Sequence, residues 1–594
     1  MNTASYFTGQ GDGAFVELLN QSYAHFVPTA EIPNLSMLID SRRDTFTEGF
    51  FWHGFWIQNS YGFMLSAVPF LREPFLTLLQ NSLDLFWDRI GDGARMGYDP
   101  DDYDEAKHDH GLWLLVAPDG CLGDCVSSAG SVAYKQGDGW KKHDWFYEAT
   151  AAGIVAQAGL LLRSRDLKAI AKYLPLMLRS CAFIEKTRDK NGLFLVGPGC
   201  NLLAPSFGAA ENAEGEMEKS CLAGLTITYT GALARLIELC RLAGEDAAPL
   251  EASLARNRKS LPLLLTGEGY FVKSLEKNGA KHGVYGAEQY GYFDCVANVD
   301  AIALDVADRE TAEKIYAKIA SIPEMRPAHL LPTSFPGLDD TYVKYGSAEL
   351  DTHGFWRAGD WVNGGCWGTV EGRAVLAYLK LGRFGDAAAS VAAAYAWTRN
   401  YRMDAPWSQW GVNTHNAWSD RAGQPEVSVM IDNFAIPAAL IRGIFEYKYT
   451  ADTLELTPHL PQALKSIAQN VPIHWGGKVL YLSCANGARI TGLTVNGRDF
   501  DTFSDRSACL RFDELPEVSY VCIGMDGVSP APAVASADNR SLAEACAEAL
   551  EQRKNTSFDA SNETLRPMTE TKKAQIIGLY EQALRRAARL GITV

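Results

Sequence analysis

A chain of 594 residues with 47% hydrophobic and 21% charged side chains has an ordinary globular balance, too long for one small core but within reach of one large barrel. Its net charge of −16 argues against a nucleic-acid or anionic-membrane partner, either of which needs a basic face. No apolar run reaches the roughly 20 residues that span a bilayer, and the N-terminus has neither a basic region nor an apolar stretch, so a cytoplasmic protein is expected.

In chain order, amphipathic helical stretches are expected over 11–25, 52–71, 74–90, 143–162, 167–190, 220–243, 247–261, 298–306, 309–320, 367–381, 386–399 and 432–447. They pair into six hairpins, with 11–25 as the partner of 432–447. The first member of each pair is rich in Ala, Gly and Ser, which lets neighbours approach on both sides, as in an inner ring. The second is amphipathic, as in an outer ring packed on one face. This predicts a mainly α chain, an (α/α)6 toroid over residues 1–450. Loops within pairs are tight, whereas those between pairs (91–142, 191–219, 262–297, 321–366 and 400–431) are long and would emerge together at the N-termini of the inner helices.

Beyond residue 450 the period becomes alternating, which predicts a small β-sandwich over 451–526. Residues 527–541 read as a linker and 542–594 as a charged helical tail that either docks on the barrel or mediates a homodimer.

The densest chemistry lies at 351–368, where Trp356, Trp361 and Trp367 stand with Asp351, Asp360, His353, Arg357 and Asn363 among five glycines. Flat indole faces beside directed polar groups suit a sugar, whose C–H faces stack while its hydroxyls need partners. Asp360, Asn363, Trp361 and Trp367 each read equally as substrate contacts or as structure. The same holds for Trp52 and Trp56 at the first inner helix, for Asp144 at the next, and for Trp410 in the last loop, while His415 of that loop reads as a substrate contact that with Arg357 and His353 would suit a phosphate. His108, Asp109 and His110 lack a fourth ligand, and Cys121 with Cys125 lacks a second pair, so no metal and no cofactor are expected. The 12 cysteines read mostly as buried free thiols.

Three features together carry a resemblance. They are the hairpin count, the Gly-Asp-Trp-Val-Asn-Gly-Gly-Cys-Trp loop at 359–367, and Leu-Glu-Leu-Thr-Pro-His-Leu-Pro at 454–461 ahead of Thr-Val-Asn-Gly at 494–497. Over about residues 10–525 the chain resembles the six-hairpin glycoside hydrolases, a superfamily that includes trehalase, processing α-glucosidase, α-rhamnosidase and the cellobiose-type phosphorylases. The resemblance implies an oligosaccharide or glycoside substrate and an inverting reaction. A general acid would come from the third outer-to-inner loop and a base from the last. On the last loop it points to Glu426. On the third, relatives often carry an acid where this chain has Cys200 and Asn201, and Glu211, Glu214 and Glu216 follow. Glu211 comes first, because Phe207 and Gly208 precede it and could form an apolar wall that raises a carboxyl pKa. Asp360 competes with both for the chemical roles, while Asp432 reads as a helix cap.

Four functions stay open: glycosidase, phosphorylase, a lyase or epimerase using His282 with Tyr285, Tyr290 and Tyr292, and a carbohydrate-binding protein without catalysis.

Overall fold

The computed structural model describes residues 5–27, 34–40, 43–49, 54–94, 117–123, 125–126, 132–133, 145–197, 219–326, 329–337, 364–398 and 430–535. Among these are twelve α-helices: α1 (Gly13–Ala24), α2 (Ile57–Ala67), α3 (Phe75–Trp87), α4 (Trp145–Ser164), α5 (Leu167–Glu185), α6 (Ala223–Ala243), α7 (Ala248–Ser260), α8 (Cys295–Ala303), α9 (Arg309–Ala320), α10 (Gly368–Lys380), α11 (Phe384–Thr398) and α12 (Ala435–Gly443). The expected helices are all present, with ends shifted by a few residues.

The even-numbered helices close a ring. Helix α2 packs on α4, α4 on α6, α6 on α8, α8 on α10, α10 on α12, and α12 back on α2. The odd-numbered helices lie outside: α3 and α5 on α4, α7 on α6, α9 on α8, α11 on α10, and α1 on α12. Burial follows this division. Every residue of α8 is buried, as is every residue of α10 up to Leu379, whereas α5 buries only one stripe, through Ile170, Tyr173, Leu174, Met177, Cys181 and Ile184. Small residues set the inner spacing. A Cβ on Gly62 of α2 would lie 2.4 Å from the Thr369 carbonyl oxygen of α10, and one on Gly372 of α10 would lie 2.5 Å from the Ala435 Cβ of α12.

The first turns show why the helices begin where they do. Asp12, Asp166 and Asp308 cap α1, α5 and α9 through their side chains. Asp294 does the same for α8, which starts that helix at Cys295, three residues earlier than periodicity placed it.

Past the ring, a six-stranded sheet runs in the order Phe7–Gln10, Ser466–Trp475, Lys478–Ala485, Val518–Met525, Ile490–Val495 and Arg498–Phe500. A three-stranded sheet joins Lys448–Tyr449, Thr453–Leu456 and Ala508–Arg511. Trp475 of the first sheet meets Tyr449 at 6.2 Å and Phe512 at 4.9 Å beside the second. The Asn496–Gly497 turn has φ of 52° and 77°, the left-handed pair that a two-residue hairpin requires. One edge strand comes from the far end of the chain, since Phe7–Gln10 pairs antiparallel with Ser466–Gln469. Residues 7–10 therefore belong with the sheet rather than with the ring. The start of the expected linker is also laid on it: Ala533 packs with Ala468 and Tyr481, and the Val534 N–H donates to Asn470 Oδ1 at 3.0 Å. The sheet touches the ring at the C-terminal ends of inner helices, where His474 N–H donates to the Pro69 carbonyl and Gly476 N–H to that of Arg163.

Cys121, Cys181, Cys221, Cys240, Cys295, Cys366 and Cys484 are buried free thiols, as expected. Among the described residues, no helix is long and apolar enough to cross a membrane.

Candidate active site at the barrel mouth

The N-terminal ends of the inner helices form a collar. Three of them, α2, α6 and α10, have no side-chain cap and begin from extended residues Trp56, Leu222 and Trp367. Neighbouring loops supply the missing acceptors. Ala223 N–H at the start of α6 donates to the Lys273 carbonyl, and Cys295 N–H at the start of α8 donates to that of Thr333. Ile431 N–H, ahead of α12, donates to the Glu48 carbonyl at 2.8 Å.

Short strand pairings follow the same rule. The entry to α2 (Phe55–Trp56) pairs with Cys125–Val126 ahead of α4. The entry to α6 pairs with Ser274–Leu275 ahead of α8, and the entry to α8 pairs with Ser334–Phe335 ahead of α10. Met430 ahead of α12 bridges to Gly49 ahead of α2. Four of the six entries are thus tied to the loop of the next inner helix, so the collar positions these first turns together.

Within it lies a pair of buried carboxyls. Glu48 and Asp432 are both fully buried, one ahead of α2 and the other in the Ile431–Phe434 turn that leads into α12. Burial drives the Glu48 carboxyl well above the ordinary carboxylate range and the Asp432 charge adds to this, while the Trp56 N–H, Asn59 and Ser60 pull less strongly downward. Burial likewise pushes Asp432 up to about 7, against the pull of the Trp367 indole and the Asn433 N–H. No cationic side chain among the described residues forms an ion pair with either. Such a pair titrates as a unit and holds a proton close to neutral pH. Asp432 is therefore a buried member of a carboxyl pair, not the helix cap expected from sequence. No spacing signal could have joined Glu48 to it, because the two lie at opposite ends of the barrel sequence.

Further round the collar, His282 stacks on Tyr290 with ring centroids 3.8 Å apart, and its Nε2 lies 2.9 Å from Glu276 Oε1. Burial lowers His282 to about 4, so the imidazole is neutral at neutral pH. Beside it, Lys273 Nζ meets the α8 cap Asp294 at 2.9 Å, with both side chains buried. Tyr292 is buried and Tyr285 half-buried.

Below the mouth the ring is plugged. Arg373 of α10 pairs with Asp300 of α8 at 3.0 Å and lies 4.8 Å from the Tyr61 ring of α2. Burial raises Asp300 to about 6, with Arg373 opposing it.

Of the residues singled out from sequence, Trp56 is half-buried at the start of α2, and Trp367 is 2% exposed with its indole toward Asp432. Trp52, Asp144, Glu211, Asp360, Trp361, Asn363, Trp410, His415 and Glu426 lie outside the described residues. No group of three or more His, Cys, Asp or Glu side chains suited to a metal ion occurs among the described residues.

No family model and no curated protein matches the chain. Solved structures do. A GH63 mannosylglycerate hydrolase from Thermus thermophilus, in complex with glucose, matches at 14% identity and a TM-score of 0.43, over 72% of this chain and 98% of that one. A cellobiose 2-epimerase from Spirochaeta thermophila matches at 13% and 0.43, over 73% and 98%. The GH78 family rhamnosidase of a Bacillus species matches at 15% and 0.43, over 81% of this chain and 42% of that one. Hydrolases and an epimerase stand side by side in this group, and no single family is resolved.

Proposed function

We propose that this chain is a glycoside hydrolase that cleaves an oligosaccharide at the collar by single-displacement inversion. The observation that carries the reading is the Glu48–Asp432 pair, set beneath a mouth whose helices begin at Trp56 and Trp367. The half-buried Trp56 at these converging helix N-termini offers a sugar a stacking face, and the buried carboxyl pair with Trp367 sets the first turns behind it. Inversion then needs two further carboxyls about 6.5–9.5 Å apart, with water between them. Glu211 is assigned as the acid that protonates the departing glycosidic oxygen. Glu426, six residues before Asp432, is assigned as the base that takes a proton from the attacking water. Asp360 holds sugar hydroxyls or replaces Glu211, and Trp361, Asn363, Trp410 and His415 line the substrate path.

The test is release of reducing sugar without phosphate, with the first-formed anomer read by NMR. Glu426→Gln and Glu211→Gln should each lower kcat by about 10²–10⁴. Full activity in both variants sinks the assignment, and strict dependence on phosphate would replace hydrolysis by phosphorolysis.

A second reading, an epimerase or lyase, is favoured by one observation. His282 is held neutral against Tyr290, as a proton-abstracting base needs to be. Solvent deuterium entering a sugar C–H position without cleavage of the glycosidic bond would select it.

A further inference from the structure

The opposite end of the ring holds a cavity of about 530 Å³. It lies among the C-terminal halves of the inner helices: Met64 to Pro69 at the end of α2, Val155 to Leu162 on α4, Ala234 to Arg241 on α6, and Arg442 on α12. The strand at Lys448–Tyr449 and one side of α7 close it. The plug of Tyr61, Asp300 and Arg373 separates it from the mouth, because its first lining residue on α2, Met64, lies about one turn beyond Tyr61.

Its charges do not cancel. Arg235, Arg241, Arg258, Lys380, Arg442 and Lys448 face Glu238, Glu251, Asp305 and Glu446 in a protein whose net charge is −16. Most of these ions already have partners. Lys380 bridges Asp305 and Glu446, Glu446 also meets His459, Arg241 holds Glu238 and Glu251, and Lys448 lies 3.8 Å from Glu455. Arg442 is committed to helix ends, donating to the Leu65 and Tyr447 carbonyls.

Arg235 differs. It stands in the body of α6 and donates one N–H, to the Gly231 carbonyl of its own helix at 2.9 Å. No carboxylate of the described residues is paired with it. Burial pushes the guanidinium of Arg235 down against a weaker upward pull from Tyr61 and Asp305; burial does the same to Arg442, and the charge of Arg235 adds to that push. Converging helix C-termini place partial negative charge here, which accounts for Arg442 but not for Arg235, which lines the cavity from the body of a helix. A half-buried guanidinium that makes no ion pair still has donors to offer, and its fork matches a planar or tetrahedral oxyanion.

We propose that this base cavity is a binding site for a small metabolite bearing a phosphate or carboxylate group, held by Arg235 with Arg258 at the rim. The volume falls within the range of ordinary small-molecule sites. The site does not depend on the function assigned to the mouth.

The test uses the full-length protein. Its melting temperature is followed against phosphate, glucose 6-phosphate and citrate, with sodium chloride holding ionic strength constant. A ligand that binds only the folded chain gives a saturable rise. Citrate and phosphate distinguish the carboxylate from the phosphate form. Arg235→Gln should weaken the apparent Kd about tenfold or more, the loss expected for a charge-assisted hydrogen bond. Arg258→Gln, an exposed position that does not threaten the fold, should weaken it about two- to fivefold, as a rim charge does. No saturable rise with any of the three anions overturns the proposal, as does an unchanged Kd in Arg258→Gln together with an unchanged Kd in Arg235→Gln.

Discussion

At the mouth, Glu48 and Asp432 sit among helix N-termini with indole, amide and hydroxyl neighbours, and burial holds their proton on. At the base, Glu446 lies between Lys380 at 2.8 Å and His459 at 2.6 Å. Burial pushes its carboxyl up there too, but the Lys380 charge and the hydrogen bond with His459 outweigh it and hold the group far below the ordinary range. The same side-chain chemistry is thus set to opposite protonation states at the two ends of one ring. The difference lies in the counter-charge, since both sites are largely buried. An end that pairs its ions gains rigidity where the sheet docks. An end that leaves carboxyls uncompensated carries a proton that neutral pH can move.

The largest expected effect comes from breaking the paired end. Lys380→Met leaves Asp305 and Glu446 without their shared cation, and should cost about 3 kcal/mol of unfolding free energy by denaturant titration. A loss below about 1 kcal/mol would mean that the base is not held by this pairing. Next comes Gly62→Ala, which forces α2 away from the Thr369 carbonyl, near the mouth. Overpacking of this kind costs about 1–3 kcal/mol. It should lower affinity for a sugar at the mouth and leave anion binding at the base unchanged, which separates the two ends functionally.

The pH dependence of stability sharpens the contrast further, because its sign reverses. Asp432 titrates near 7 in the folded chain and near the ordinary 3.9 when unfolded, so the native state holds a proton that the unfolded state has released. The stability this contributes is fully present below about pH 4 and is lost as pH rises toward 7, by at most about 1.4 kcal/mol per pH unit. Relative to wild type, Asp432→Asn should therefore gain stability across that window. Glu446 runs the other way. Its contribution is present above its ordinary titration range and is lost as pH falls below it, so Glu446→Gln should close on wild type in acid. Parallel slopes for the two variants in urea titrations from pH 2 to 8 would refute the contrast.

The ring itself was legible in the sequence. Stripes such as Ile170, Tyr173, Leu174 and Met177 fix an outer helix by period alone, and runs of Ala and Gly mark an inner one. Asn496–Gly497 likewise announces its hairpin. The collar was not legible, because strands of two residues, such as Phe55–Trp56, are too short to show alternation. Nor was the edge strand Phe7–Gln10, whose partner lies near residue 466. Asp432 was misread for a related reason. A carboxylate just before a helix carries the signature of a cap, and only the fold reveals that Glu48 lies beside it and that its N–H partners do not offset its burial.

The smallest expected effect separates two roles for Trp367, which the sequence marks as a sugar contact and the fold directs toward Asp432. Its indole N–H is one of the donors that draw the Asp432 carboxyl downward. Trp367→Phe keeps an aromatic ring and removes that donor, so the pair's titration midpoint should rise by about half a unit to one unit, the worth of one ordinary hydrogen bond. The midpoint can be read from stability measured against Asp432→Asn across the same pH series. A shifted midpoint with sugar affinity unchanged makes Trp367 a positioning residue for the buried pair. An unmoved midpoint with weakened sugar binding would instead make its ring face the stacking surface, and Asp432 would then owe its elevation to burial alone.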